Sequence, residues 1–439
     1  MRILFTVSNW AGHYMCMVPL AWAFRAAGHD VRVACPPQQV QGVISTGLMP
    51  VSVLDAADMM ESARLAYWSL AINTPPQSGE MPLPLHPFTG EALSSVRDFD
   101  TGTLSDFWKK TITAVQRSFD NAVDFAASWR PDLVVHDIMA IEGALVGVLN
   151  NVPSVYYGPG FIGTVETEPG LNLMAGDPLS CFEKYGVDWT RRDIRYAVDP
   201  SPDAAVPPMG DALRIPVRYH PYNGNQDVDP WLLGPIRGKR VCVVWGNSAT
   251  GVFGERLPAL RRAVETAAQL ATEVVLTAAL SEVDAMGSLP QNVRVLRNCP
   301  LELILPDCDL LIHHGSANCL MNGIVTGVPQ LSLALNYDGQ IYGRRLDPQG
   351  ATKTLPGLMI SAEEIDKAIA EMLFDHRYRR RAAELRASVA GAPTAAQVAD
   401  LLVTLARTGE LTPGDVAGLV AGPDQHRREI TGDTVSEVR

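Results

Sequence analysis

The strongest constraint on this chain is an echo within it. Asp132-Leu-Val-Val-His-Asp137 opens a segment that closes on Asn151-Val-Pro-Ser-Val155. Asp309-Leu-Leu-Ile-His-His314 opens a second that closes on Gly327-Val-Pro-Gln-Leu331. From Asp to Pro is 21 positions in the first and 20 in the second. Each reads as a buried strand, a loop, a helix of small residues, and a Val-Pro that starts the next strand. The same unit at the same place in both halves predicts two α/β domains of one doubly wound, Rossmann-like build. The first residues agree. Positions 3–7 are β-rich, 8–14 read as a loop, and 18–27 have helical composition ending at Gly28. Positions 31–35 form the next strand, stopped by Pro36-Pro37. That is a βαβ unit, for which a right-handed crossover and a parallel sheet are expected.

A chain of 439 residues suits two such domains. The boundary is predicted at 216–238, where Pro216, Pro221, Asn223-Gly224-Asn225, Pro230 and Gly234-Pro235 break all periodicity. The domains are then 1–215 and 239–411, with 412–439 expected as a polar, disordered tail. Residues 55–111 are rich in Pro and aromatics and read as a functional loop region.

Composition closes several routes. Lys and Arg number 36 against 48 Asp and Glu, a net charge of −12, which argues against nucleic-acid binding. Seven cysteines without a C-x-x-C pair suggest neither a disulfide framework nor a zinc site. Only one basic residue precedes the short N-terminal apolar run, so no signal peptide is expected. No run of 18 apolar residues predicts a membrane span. The expected protein is soluble and cytoplasmic.

In open parallel sheets, ligands sit beyond the carboxyl ends of the strands. Three segments fall at that edge. In Asn9-Trp-Ala-Gly-His13 the imidazole is either a general base, with a pKa near neutrality, or a surface side chain without a role. Asp137, after a strand of the same domain, is the carboxylate expected to bind the Nδ1 proton of His13 and stabilise the imidazolium. Its neighbour His136 reads as core. The third segment is His313-His314-Gly315-Ser316-Ala317-Asn318-Cys319. Its small residues and following helix N-terminus suit a diphosphate, with His314 and Asn318 adding donors. Ser248, in the similar Gly246–Thr250 turn, faces the phosphates from the other side. Asp338 and Gln340, flanking Gly339, are the right types for sugar hydroxyls. Asp307-Cys-Asp309 matches a metal-binding D-x-D pattern but starts a strand, at the wrong sheet edge. No G-x-G-x-x-G follows the first strand, which argues against a dinucleotide oxidoreductase.

These residues resemble the GT-B nucleotide-sugar glycosyltransferases of family 1, above all actinobacterial antibiotic deoxysugar transferases such as the desosaminyltransferases. The resemblance rests on Gly12-His13 with Val18-Pro-Leu-Ala-Trp-Ala23, on Arg25 to Val33, and on Arg130-Pro-Asp-Leu-Val-Val135. It extends through Glu183-Lys-Tyr-Gly186, Tyr222-Asn-Gly224, Leu305 to Asp309 and His313-His-Gly315. It implies two Rossmann-like domains facing across a cleft, acceptor in the first and donor in the second. It implies an inverting, metal-independent transfer with no cofactor, catalysed by His13 backed by Asp137. His314 to Cys319 with Ser248 would bind the donor diphosphate, Asn298 and Cys299 the nucleobase, and Asp338, Gly339 and Gln340 the sugar.

The departures point to the donor. Gly315-Ser316 replaces the usual Gly-Gly, Asp338-Gly-Gln340 replaces Asp-Gln, and Asn298 replaces an aromatic. Loss of the Asp-Gln pair argues against glucose and for a dTDP-deoxysugar. The acceptor is expected to be a polyketide-type natural product, in antibiotic biosynthesis. Relatives in this subfamily often need a cytochrome-P450-like auxiliary activator, and a homodimer is left open. Two alternatives are a nucleotide-sugar epimerase of the same build and an inactive scaffold partner.

Overall fold

The computed structural model describes residues 1–55, 58–74, 81–168, 171, 176–224, 229–235, 238–255, 257–297 and 299–420. Two parallel sheets organise them. The first holds β1 (Arg2–Thr6), β2 (Asp30–Ala34), β3 (Pro50–Val51), β4 (Leu133–His136), β5 (Ser154–Tyr157), β6 (Tyr196–Asp199) and β7 (Leu213–Pro216), in the order β3-β2-β1-β4-β5-β6-β7. The second holds β8 (Arg240–Val244), β9 (Glu273–Thr277), β10 (Val293–Val295), β11 (Leu310–His313), β12 (Gln330–Ala334) and β13 (Thr352–Pro356), in the order β10-β9-β8-β11-β12-β13. Each chain order reverses once, between β1 and β4 and again between β8 and β11. These are the two places where a crevice opens beyond the strand ends. The sequence echo is therefore real: β4 and β11 are equivalent strands, each beside the first strand of its sheet.

The central strands are apolar without alternation because helices cover both faces. Every residue of β4, β8, β11 and β12 is buried. Register then fixes the site. Thr6 pairs with His136 and Val244 with His313, so the residues just beyond each pair emerge side by side.

Three expectations need correction. The 55–111 region is not simply loop. Asp58 caps a helix, Met59–Asn73, by accepting from the N–H groups of Met60 and Glu61. Behind it Trp68, Phe88, Phe99 and Phe107 pack ring to ring, and a second helix, Leu104–Trp129, already begins inside the region. Tyr67 reaches across to Phe253, with ring centroids 4.7 Å apart, so this helix bridges the two halves.

The helix Ala395–Thr408, expected in the second domain, lies on the first. Val398, Leu402 and Leu405 share a core with Val18, Leu20 and Phe24. Nor is the tail entirely loose. Residues 413–420 are helical, Val416 is buried in that same core, and the Leu411 N–H donates to the Tyr196 hydroxyl at 3.2 Å. Residues 421–439 of the expected tail lie outside the described residues.

Among the described residues one stretch, His376–Thr408, has the length and hydropathy of a membrane span. It is broken around Gly391 and Pro393 into the helices His376–Ala390 and Ala395–Thr408. Leu385 and Leu402 anchor both in the core.

Candidate active site

Asp137 leaves β4 fully buried, with its carboxylate pinned from several sides. Oδ1 accepts from the N–H groups of Met139 (2.8 Å) and Ala140 (2.7 Å), and Oδ2 accepts from the Ser8 N–H (2.7 Å). Held this way, it meets His13 only through a neighbour. The Ser8 hydroxyl donates to Asp137 Oδ2 at 2.7 Å and stands 3.1 Å from His13 Nδ1. The expected direct Asp137–His13 contact is thus a three-membered chain with Ser8 in the middle. Parallel register contained the signal. Thr6 pairs with His136, so the residues after Thr6 are the first that Asp137 can meet.

His13 sits in a short helix, Ala11–Tyr14, and its Nε2 has no partner among the described residues. Burial lowers the His13 pKa and the Asp137 charge opposes that only in part. The ring is therefore neutral near pH 7, the form a base requires. His136 is core, as expected. Its Nδ1 faces the Asp137 carbonyl at 3.0 Å, and burial pushes it down to about 4.

Across the crevice, β11 ends in the other turn. Gly315 has φ +93°, and a Cβ there would lie 2.9 Å from Ala334 Cα, so only glycine fits. His313 is fully buried, and its Nδ1 accepts from the Gly315 N–H at 3.1 Å; it shapes the turn. Ser316 caps the helix Ala317–Thr326 by accepting from the Cys319 N–H at 3.3 Å. The N–H groups of Ser316, Ala317 and Asn318 have no acceptor among the described residues. Three free donors at a helix N-terminus form a ready anion cradle. His314 lines it. Its ring packs against the Gly246 turn, with Nδ1 3.4 Å from the Gly246 N–H and a hydrogen bond to the Val244 backbone, and burial pushes its pKa down to about 4. The Ser248 hydroxyl, in the first turn of the helix Asn247–Phe253, also has no partner among the described residues.

Two of the expected diphosphate ligands are engaged elsewhere. Cys319 points into an apolar cluster with Cys242, Cys299 and Cys308, and its N–H is taken by Ser316. The Asn318 side chain turns to the first half, where Nδ2 donates to the Gly12 carbonyl at 2.9 Å. Only its backbone N–H stays free. A small residue at a helix start looks like a phosphate ligand in sequence; which way its side chain turns depends on the other domain.

The sugar-loop residues begin the helix Tyr337–Leu346. Asp338 Oδ2 accepts from the Tyr342 hydroxyl at 3.3 Å, and burial raises its pKa. Gly339 is buried, and a Cβ there would lie 2.8 Å from the Gly315 carbonyl oxygen. It is a packing residue that lets the two loops touch, rather than a sugar ligand. Gln340 is half-buried beside it. Cys299 is buried and its sulfur lies 3.9 Å from the Pro300 carbonyl; Asn298 lies outside the described residues. The same helix locks the halves together. Arg345 makes a two-point ion pair with buried Glu166, with the closest N···O at 2.8 Å, and Arg344 pairs with Glu168 at 3.2 Å.

The D-x-D pattern is a strand start. Asp309 donates its N–H to the Arg240 carbonyl, and its carboxylate pairs with Arg379 and Lys239 at the amino edge. Among the described residues no group of three His, Cys, Asp or Glu side chains is arranged to hold a metal.

The free Nε2 of His13 and the free N–H groups of 316–318 thus lie on either side of the crevice between two doubly wound domains, joined by the Asn318–Gly12 bond, and the two-domain architecture is that of a GT-B glycosyltransferase. Comparison with known proteins agrees. The chain is 29% identical to the 10-deoxymethynolide desosaminyltransferase of Streptomyces venezuelae, over 94% of this chain and 99% of that one. It is 31% identical to the L-demethylnoviosyl transferase of Streptomyces niveus, over 94% and 100%. Among solved structures, a spinosyn rhamnosyltransferase complexed with thymidine diphosphate superposes with a TM-score of 0.68 at 25% identity, over 92% and 100%. The model of the erythromycin biosynthesis protein CIII-like N-terminal domain matches residues 22–246 and that of the C-terminal domain residues 261–405. With both models matched in order across a two-sheet GT-B fold, the chain belongs to the erythromycin biosynthesis protein CIII-like family of glycosyltransferases.

Proposed function

We propose that this enzyme transfers a deoxysugar from a dTDP-sugar to a hydroxyl of a polyketide-type acceptor, with inversion at the anomeric carbon, in antibiotic biosynthesis. The observation that carries the reading is the pairing of one free imidazole nitrogen, His13 Nε2, with three free N–H groups at residues 316–318. The Asn318–Gly12 hydrogen bond ties the two across the crevice. The relatives described above are a desosaminyltransferase, an L-demethylnoviosyl transferase and a spinosyn rhamnosyltransferase solved with thymidine diphosphate, which supports a transferase over an epimerase.

In this mechanism His13 Nε2 takes the proton of the acceptor hydroxyl. The oxygen forms its bond to the anomeric carbon from the face opposite the diphosphate. The carbon–oxygen bond to the diphosphate breaks, and the released charge falls on the N–H groups of 316–318, with His314 and Ser248 as side-chain donors. Preorganised donors aimed at developing charge are the largest single source of acceleration in many enzymes, so the step needs no metal. Asp338 and Gln340 bound the sugar pocket. Cys299, with Asn298, borders the base. Residues 1–215 hold the acceptor and 239–394 the donor, with 216–238 as the linker between them. The acceptor surface is the aromatic region between 55 and 111. A cytosolic location and, on the strength of the family resemblance, a cytochrome-P450-like activator complete the proposal, with a homodimer left open.

The test is a panel of dTDP-sugars and aglycones with His13→Ala as control. Turnover by the native enzyme should fall about 10²- to 10⁴-fold in the variant, with thymidine diphosphate affinity unchanged. Equal turnover would remove His13 as the base. Absence of any glycoside across the panel, with and without an activator, would remove the transferase assignment to these substrates.

A further inference from the structure

We propose that Ser8 is the positioning residue of the base: its hydroxyl, set between Asp137 and His13, fixes which nitrogen of His13 is free to take the acceptor proton. The proposal rests on the reading of His13 as the base.

The Asp137 carboxylate already accepts three backbone N–H groups, from Ser8, Met139 and Ala140. A carboxylate so occupied has no proton to give, so the Ser8 O–H donates to it, at 2.7 Å. A hydroxyl has one proton. Ser8 Oγ must then accept from its second neighbour, His13 Nδ1, at 3.1 Å. The proton of neutral His13 is therefore on Nδ1, and Nε2 carries the lone pair. Nothing else present dictates this, because Asp137 does not reach the ring and Nε2 has no partner among the described residues. Ser8 is itself buried, held through both N–H and O–H by one carboxylate oxygen, so it cannot turn away without breaking two bonds.

The chain also works during the reaction. When Nε2 takes the acceptor proton the ring becomes a cation, with Nδ1–H still donating to Ser8. The hydroxyl dipole points its oxygen at that cation, and the Asp137 charge stands one bond further on. No proton moves along the chain. Among the described residues the other groups in contact with His13 carry no charge. The Cys16 thiol donates to the His13 carbonyl at 3.1 Å, the Trp10 ring centroid lies 6.3 Å away, and Asn318 holds the neighbouring Gly12. Behind Asp137, the Glu142 carboxyl is pushed up by burial and, in smaller part, by the Asp137 charge.

The experiment uses the full chain, with the dTDP-sugar and aglycone on which the native enzyme turns over fastest. It compares Ser8→Ala, Ser8→Thr, Asp137→Asn and His13→Ala. Ser8→Ala should lower kcat about 10- to 100-fold, leave the donor KM and thymidine diphosphate affinity within about twofold, and shift the acid limb of kcat/KM to lower pH. Ser8→Thr, which keeps the hydroxyl, should restore kcat and the limb. A purely structural Ser8 would scale the profile without moving the limb. Independently of turnover, ¹⁵N shifts of the His13 ring in the native protein should report protonated Nδ1 and unprotonated Nε2, with the Nδ1 preference lost in Ser8→Ala. Native-like kcat in Ser8→Ala, or a proton on Nε2 in the native protein, overturns the proposal. If His13→Ala stays active, the base reading fails instead, and the ring spectrum still judges Ser8.

Discussion

Asn318 separates two accounts of the anion cradle. Read from sequence, its side chain is a phosphate donor. Read from its contacts, the side chain is a strut: Nδ2 holds the Gly12 carbonyl at 2.9 Å, and only the backbone N–H is left for the diphosphate. Asn318→Ala keeps that N–H and deletes the strut. The lost bonds are the one to Gly12 and a long contact from the Tyr219 hydroxyl at 3.5 Å, which counts for little. One good hydrogen bond contributes about 1 kcal/mol net. The strut spans the two domains and ends beside His13. If the aligned state loses that amount, kcat should drop about fivefold while the thymidine diphosphate Kd stays within about twofold. Asn318→Asp should cost more, because a carboxylate would face the Gly12 carbonyl. Steady-state turnover by product chromatography and titration calorimetry read the two quantities separately. A variant with weakened Kd and native kcat would refute the strut and restore the phosphate-ligand reading.

Other outcomes follow from single features. Gly315→Ala forces a side chain into φ +93° and against Ala334, so it should lose about 1–3 kcal/mol of stability. Calorimetry should find its thymidine diphosphate binding weakened more than tenfold. Burial pushes the Glu142 carboxyl up to about 7, while Ser118 satisfies only one of its oxygens. A raised carboxylate pKa means the stabilising contribution is present below about pH 4 and lost as pH rises through 7. Glu142→Gln should therefore be more stable than the native chain at pH 8, by up to about 3 kcal/mol, and indistinguishable at low pH. Urea denaturation at the two pH values checks it, and a gain at low pH would contradict the sign. Thymidine diphosphate should raise the melting temperature of the native chain, since a ligand of the folded state stabilises it. The same ligand should do so less for His314→Ala.

How much of this was legible beforehand differs by distance. Local order was. Unbroken apolar runs gave the buried parallel strands, the Asp-to-Pro echo gave the equivalence of β4 and β11, and the small residues after His314 gave the turn into a helix N-terminus. Partners chosen across the chain were not. Periodicity says that Val398, Leu402 and Leu405 share a buried face; it does not say that the face belongs to the first domain. The helix Met59–Asn73 was hidden because its apolar residues serve both domains, so no single stripe stands out. Cys319 and Asn318 are neighbours in sequence with opposite fates, since a helix turns successive side chains by about 100°. One meets an apolar cluster and the other a carbonyl 306 positions away. Ser8 was the nearest miss, one register step from a pairing the strands already implied.

Charge brings the cradle to a sharper test. The chain carries −12 overall, yet its donor is an anion. The three segments that form the cradle, 246–250, 313–319 and 336–340, contain no Lys or Arg. The nearby Arg344 and Arg345 are paired with Glu168 and Glu166. His314, pushed down to about 4, is neutral at pH 7. On the proposed reading the diphosphate is held by N–H dipoles and a neutral imidazole, with no unpaired Lys or Arg in these three segments for which salt anions can compete. Binding through Lys and Arg weakens steeply as salt rises, because screening removes the attraction. Here screening removes mainly the repulsion of an acidic protein. The thymidine diphosphate Kd should therefore be flat, or tighten slightly, between about 0.05 and 0.5 M salt. A weakening of tenfold or more over that range would mean that a Lys or Arg outside these three segments carries the phosphate.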